Sequence, residues 1–156
     1  DYCLMARTYP MMRTLLTSLK HEGCKLSVAT YKREDVANRI LAHFKLDPYF
    51  DAIYGSDFEG RLSKKDIIEK AMNHVGVRPA NTVVIGDSKS DGAAANQIGV
   101  KFIAVTYGFG FNSEKDAADL HPIAICRRAE DIYFACRKFP QIKNTFLQNA
   151  KMGELH

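Results

Sequence analysis

No apolar run in these 156 residues is longer than a β-strand. Thr82 to Ile85 and Phe102 to Val105 are typical, far short of the roughly 18 apolar residues that a membrane helix requires. The opening Asp1-Tyr2-Cys3-Leu4-Met5-Ala6-Arg7 has no secretory h-region, and low-complexity tracts and solenoid repeats are missing. These absences exclude membrane and fibrous classes and lead us to expect a soluble, cytoplasmic chain without a membrane partner. Cysteine is sparse: Cys3, Cys24, Cys126 and Cys136 form no Cys-x-x-Cys pair and have no histidine at zinc-finger spacing. That excludes a zinc module and a disulfide scaffold, and reduced, buried thiols are expected.

Charge of one sign is scarcely in excess. Lys+Arg number 22 and Asp+Glu 18, a formal charge of +4 with pI near 8.9. The late basic residues Arg127, Arg128, Arg137, Lys138, Lys143 and Lys151 come without a stacking-aromatic pattern. They read as a solvated face, so no nucleic-acid partner is expected. With 46% hydrophobic and 26% charged residues, the composition fits one globular domain with a real core.

What is present is an alternation of helical and strand periodicities. Pro10 to His21 reads as a helix stopped by Gly23, Lys25 to Thr30 as a strand, and Arg33 to Phe44 as a second helix. Ala52 to Gly55 is a short strand, and Ser63 is placed to cap a helix from Lys64 to His74. Thr82 to Gly86 is the clearest strand; Ser90 to Ile98 is a small-residue helix closed by Gly99. A strand from Lys101 to Thr106, a glycine-bearing loop from Tyr107 to Gly110, a strand from Ile123 to Cys126 and a helix from Ala129 to Lys138 complete the series. Pro140 then breaks the chain, and residues 140–156 are expected to be a basic, helical tail. This rhythm predicts an α/β fold, a three-layer Rossmann-like parallel sheet, with polar residues gathered at the strands' carboxyl ends.

Thr30 closes one strand, Asp87 ends another, and Asp91 opens the helix after it. Two carboxylates so placed can hold a hard divalent cation, with Ser88-Lys89-Ser90 small enough to leave room for waters. The plainer alternative is that Asp91 caps its helix and Asp87 merely ends its strand. Lys64 and Lys65 open a helix against its dipole, a placement that costs a few tenths of a kcal/mol. A hydroxyl, a cation and a metal site are the parts that bind and polarise a phosphoryl group.

In order, these pieces resemble the haloacid dehalogenase (HAD) superfamily, nearest its phosphoglycolate-phosphatase-like branch. Gly23-Cys24-Lys25-Leu26-Ser27-Val28-Ala29-Thr30 is similar to that family's second motif, Ser63-Lys64-Lys65-Asp66 to its third, and Gly86-Asp87-Ser88-Lys89-Ser90-Asp91 to its fourth. Leu46 to Asp51 and Tyr107 to Gly110 match the usual spacers, and the match runs from about Tyr9 to Ile132. The resemblance implies a Mg2+-dependent phosphatase acting on a small phosphorylated metabolite through an aspartyl-phosphate. It implies that Thr30 and Lys64 bind the phosphate, with Lys65 in that role if the register slips, and that Asp87 and Asp91 serve the metal. It also implies that residues 1–9 are the end of a cap and its linker, and that 10–139 form the core domain. Receiver domains use similar groups in another order, aspartates first and lysine last, which this chain does not follow.

The family's opening strand, ending Asp-x-Asp-x-Thr, has no counterpart: Leu4-Met5-Ala6 does not continue such a motif from Asp1. The nucleophile is therefore expected upstream of this chain, which by itself should be inactive. The alternative is a non-catalytic phosphate- or partner-binding module. The missing strand belongs mid-sheet, between those carrying Thr30 and Asp87. Without it, two buried edges would hold unpaired backbone groups at about 1–3 kcal/mol each. Either the chain is part of a longer one or another segment fills that slot.

Overall fold

A computed structural model describes residues 7–8, 11–107, 110–139, 144–147 and 153–154; for 7–8, 144–147 and 153–154 it describes the backbone alone. In chain order the elements are β1 (Arg7–Thr8), α1 (Met12–His21), β2 (Lys25–Arg33), α2 (Glu34–His43), β3 (Ala52–Ser56), α3 (Lys64–Val75), β4 (Thr82–Gly86), α4 (Lys89–Ile98), β5 (Lys101–Val105), α5 (Glu114–Ala118), β6 (Ala124–Cys126), α6 (Ala129–Arg137), β7 (Asn144–Leu147) and β8 (Gly153–Glu154).

Local chemistry sets the ends of the helices that matter most here. Ser63 caps α3 reciprocally: its hydroxyl accepts from the Asp66 N–H at 3.1 Å, and the Asp66 carboxylate accepts from the Ser63 N–H at 3.0 Å. Gly76 closes the helix at φ +69°, a conformation that glycine adopts without a Cβ penalty. Ser88 and Asp91 form the same box at the start of α4.

Six parallel strands form one sheet in the order β3-β2-β7-β4-β5-β6. Alternate residues serve opposite faces. Leu26, Val28, Val83, Ile85, Ile103 and Val105 pack with α1 and α6, while Ala29, Val84, Phe102 and Ala104 pack with α3 and α4. Both faces are covered, which explains why these strands read as continuous apolar runs rather than as alternating ones. The three layers and the parallel sheet match the expected architecture.

The tail departs from expectation. Residues 144–147, read from sequence as part of a helical tail, form β7, and they lie at the centre of the sheet. Leu147 stands opposite Val28 of β2 and Ile85 of β4. The physical reason is the vacancy already noted: β2 and β4 need a partner between them, and pairing 144–147 on both sides satisfies those backbone groups. Gly153–Glu154 is also strand, paired antiparallel with Arg7–Thr8. Of the linker expected over 1–9, only Arg7–Thr8 lies within the described residues. The short helix α5 was not anticipated. Among the described residues, no helix is long and apolar enough to cross a membrane.

Candidate functional site

Because every strand of the central sheet runs the same way, the carboxyl ends of β2, β7 and β4 share one edge. Thr30 lies two residues beyond Val28, and Asp87 two beyond Ile85, so they flank the end of β7. Both are buried, Thr30 fully. The Thr30 hydroxyl accepts from the Lys32 N–H at 3.1 Å.

The centre of the site is an ion pair. Lys64 Nζ lies 3.0 Å from Asp91 Oδ1, with side-chain exposures of 4% and 2%. The ammonium also donates to the Ala29 carbonyl at 3.5 Å and lies 4.8 Å from the Tyr31 ring centroid. The Lys64 N–H donates to the Tyr31 hydroxyl at 3.0 Å, which ties the start of α3 to β2. Asp91 Oδ2 accepts from the Ser88 N–H at 3.2 Å and the Ser88 hydroxyl at 2.8 Å. Asp91 thus does two things at once: it caps α4, as the plainer reading held, and it neutralises a buried lysine.

Lys65 does not join them. It is half-buried and pairs with Glu69 at 3.5 Å, one turn along the helix. The register was legible in principle: Lys64, Ile67, Ile68, Ala71 and Met72 fall on one helical stripe, and all are buried. Tyr31 and Ser88 were not singled out as site residues, nor were the two glycines that make room. A Cβ on Gly86 would lie 2.3 Å from Asp91 Oδ2, and one on Gly110 would lie 2.4 Å from the Asp87 carbonyl oxygen. The loop after β5 therefore closes directly on Asp87; Gly108 and Phe109 of that loop lie outside the described residues.

Among the described residues the buried charged side chains are Lys64, Asp87 and Asp91. The donors suit magnesium in kind, being hard oxygens with small neighbours. In number they are few: no group of three His, Cys, Asp or Glu side chains able to hold a metal occurs among the described residues. Both Asp91 oxygens are already engaged, by Lys64 and by Ser88. Beside this edge, a cleft of about 350 Å³ opens between Arg33, Asp35, Gly55, Asp57, Phe58 and Lys70.

The parallel sheet between two helical layers, with polar groups at one edge, places the chain among the Rossmann-like α/β proteins. Residues 4–105 match the model of the haloacid dehalogenase-like hydrolases. The chain belongs to that family, within reach of its phosphoglycolate-phosphatase-like branch. A 5'-nucleotidase of Pseudomonas aeruginosa is 37% identical over 109 residues, covering 69% of this chain and 49% of that protein. A phosphoglycolate phosphatase of Neisseria meningitidis is 33% identical over 108 residues, covering 69% of this chain and 46% of that one. The crystal structure of a predicted phosphatase from Clostridium acetobutylicum superposes with a TM-score of 0.80 at 35% identity, over 84% of this chain and 60% of that one. The chain thus spans about half the length of the curated relatives it matches.

Proposed function

We propose that this chain is the core portion of a magnesium-dependent phosphatase that hydrolyses a small phosphomonoester. The observation that carries the reading is the buried Lys64–Asp91 pair at 3.0 Å, set beside Thr30 and Asp87 at one strand edge. Burying an ion pair costs several kcal/mol of desolvation per charge. A surface of no chemical purpose has no use for it, whereas a phosphoryl group needs a fixed cation and hydroxyl donors.

In this reading the Thr30 hydroxyl donates to a phosphoryl oxygen and Lys64 offsets the charge of phosphate and nucleophile. Asp87 would hold magnesium, with Asp91 behind it. Bound magnesium would neutralise phosphate charge and orient the ester. The nucleophilic carboxylate is assigned to a segment upstream of this chain. Its attack on phosphorus forms the aspartyl-phosphate as the ester P–O bond breaks, and water then releases phosphate. The substrate is a small phosphorylated metabolite, and the site is assigned to the cytoplasm.

A second reading is favoured by one specific observation. The strand occupying the slot between β2 and β4 brings no carboxylate, since residues 140–152 contain neither Asp nor Glu. With that strand in place the chain is a phosphate-binding module that does not turn over. The readings separate when p-nitrophenyl phosphate and Mg2+ are given to two proteins. One is the 156-residue chain; the other is the same chain preceded by an apolar strand ending Asp-x-Asp. Hydrolysis by the second alone, lost on Asp87→Asn, supports the phosphatase. Turnover by neither, with phosphate still bound by both, supports the module.

A further inference from the structure

The cation of the site is gripped by a neutral aromatic as well as by a carboxylate. We propose that Tyr31 is the positioning residue of Lys64: its hydroxyl fixes where α3 starts, and its ring fixes where the ammonium stands. Lys64 is thereby held beside Thr30 for an incoming phosphate. This inference rests on the phosphoryl-site reading for the purpose of the hold, but not for the hold itself.

Three observations carry it. First, Tyr31 touches Lys64 at both ends. The phenolic oxygen accepts from the Lys64 N–H at 3.0 Å, and the ring centroid lies 4.8 Å from Nζ. The leading N–H groups of a helix have no partner within it. Ser63 serves that of Asp66, and Tyr31 reaches across from β2 to serve that of Lys64. A lysine stem is long and flexible; gripping its backbone and its head with one rigid side chain removes that freedom.

Second, the grip costs the site no positive charge. An ammonium carries three donors, and Asp91 at 3.0 Å and the Ala29 carbonyl at 3.5 Å accept from this one. A second carboxylate in place of Tyr31 would compete with phosphate for the cation. A ring face attracts the charge through its quadrupole and neutralises nothing. The contact joins a half-exposed ring, 49% accessible, to a lysine that is 3% accessible.

Third, the backbone is shaped to present Tyr31. Ala29 stands opposite Tyr54 and Arg33 opposite Ser56, so β2 advances four residues where β3 advances two. The irregularity falls on Thr30-Tyr31-Lys32, and such bulges re-aim side chains at strand ends. The Thr30 hydroxyl braces it by accepting from the Lys32 N–H at 3.1 Å. Gly55 lets β3 close against it: a Cβ there would lie 2.5 Å from the Lys32 carbonyl oxygen and 2.7 Å from the Glu34 backbone. One bulge thus sets both the hydroxyl donor and the residue that holds the cation.

The test uses the 156-residue chain with 13Cε-labelled lysine, titrated with inorganic phosphate in the presence of Mg2+. One lysine Hε signal should lie upfield, shifted by the Tyr31 ring, and be assigned by its loss in Lys64→Met. Tyr31→Phe should keep that signal and bind phosphate within about twofold of the parent, while Tyr31→Leu should lose the signal and bind about fivefold more weakly. A tyrosine of purely structural use would lower the urea midpoint of both variants and leave the signal and the phosphate affinity unchanged, which overturns the inference. Equal loss of affinity in Tyr31→Phe and Tyr31→Leu also overturns it, since the ring then does not hold the ammonium. If Tyr31→Leu does not fold, nuclear Overhauser contacts between Lys64 Hε and the Tyr31 ring in the phosphate-saturated parent decide: their presence supports the hold and their absence overturns it. Phosphate affinity lost in Lys64→Met but intact in Tyr31→Leu removes the inference and keeps the phosphoryl site. Equal affinity in Lys64→Met and the parent, with the ring-shifted signal lost in Tyr31→Leu, keeps the hold and removes the phosphoryl site.

Discussion

Breaking the Lys64–Asp91 pair from its two sides should not cost the same. Lys64→Met leaves a buried carboxylate, but Asp91 keeps the Ser88 N–H at 3.2 Å and the Ser88 hydroxyl at 2.8 Å. With two donors retained, the cost should be about 2–3 kcal/mol, the lower part of what removing one partner of a buried pair does. Asp91→Ala leaves an ammonium whose described contacts are one carbonyl at 3.5 Å and the face of Tyr31. It also removes the reciprocal cap of α4, so the cost should reach about 4–5 kcal/mol, roughly 1 of it from the cap. The double variant should be less destabilised than the sum of the singles by about 2 kcal/mol, since each single strands a charge that the double does not. Urea unfolding followed by circular dichroism measures all three, provided the m-value stays constant. Two singles each within about 0.5 kcal/mol of the parent, and additive, would show a solvent-screened pair of the surface kind and refute the reasoning.

Other expectations follow from single contacts. Gly86→Ala places a methyl 2.3 Å from Asp91 Oδ2; it should cost about 1–3 kcal/mol by overpacking, read as a lowered Tm. Burial works against the charge of Asp51, but the Leu26 N–H and Lys20 ammonium outweigh it and hold the carboxyl below its ordinary value. Asp51→Asn should therefore lose under about 1 kcal/mol at neutral pH, the pair being about one-third exposed. That difference should be present above the unfolded carboxyl value of about 3.9 and vanish as pH falls through the lower folded value, which paired denaturation curves at pH 7 and pH 2.5 would show. Burial first, and the Asp131 charge second, push the Cys126 thiol up to about 12. Iodoacetamide at pH 8 should leave Cys126 unmodified in the folded chain and alkylate it fully in guanidinium, by peptide mass mapping.

Much of the fold was legible because it is written locally. Ser63 and Gly76 bracket α3 with capping chemistry that needs no tertiary context, and Val83-Val84-Ile85 can hardly be anything but a buried strand. Thr30, Lys64, Asp87 and Asp91 were legible as strand-end and helix-start polar groups. The direct pairing of Lys64 with Asp91 was not, because the two meet only when α3 and α4 pack on the same face of the sheet. The tail was misjudged for a related reason. Asn144 to Leu147 has no strand-like pattern of its own and becomes a strand because β2 and β4 impose pairing from both sides. That the sheet needed something there could be argued from backbone hydrogen bonding alone; which segment would supply it could not.

The most direct test of the phosphate site is an amide NMR titration of the 156-residue chain with inorganic phosphate in the presence of Mg2+. The largest shift changes should fall on Thr30, Tyr31, Lys64, Asp87 and Ser88, saturate together, and disappear in Asp87→Asn. Changes scattered over the basic residues Arg127, Arg128 and Arg137, with those five amides unmoved, would contradict a phosphoryl site at this strand edge.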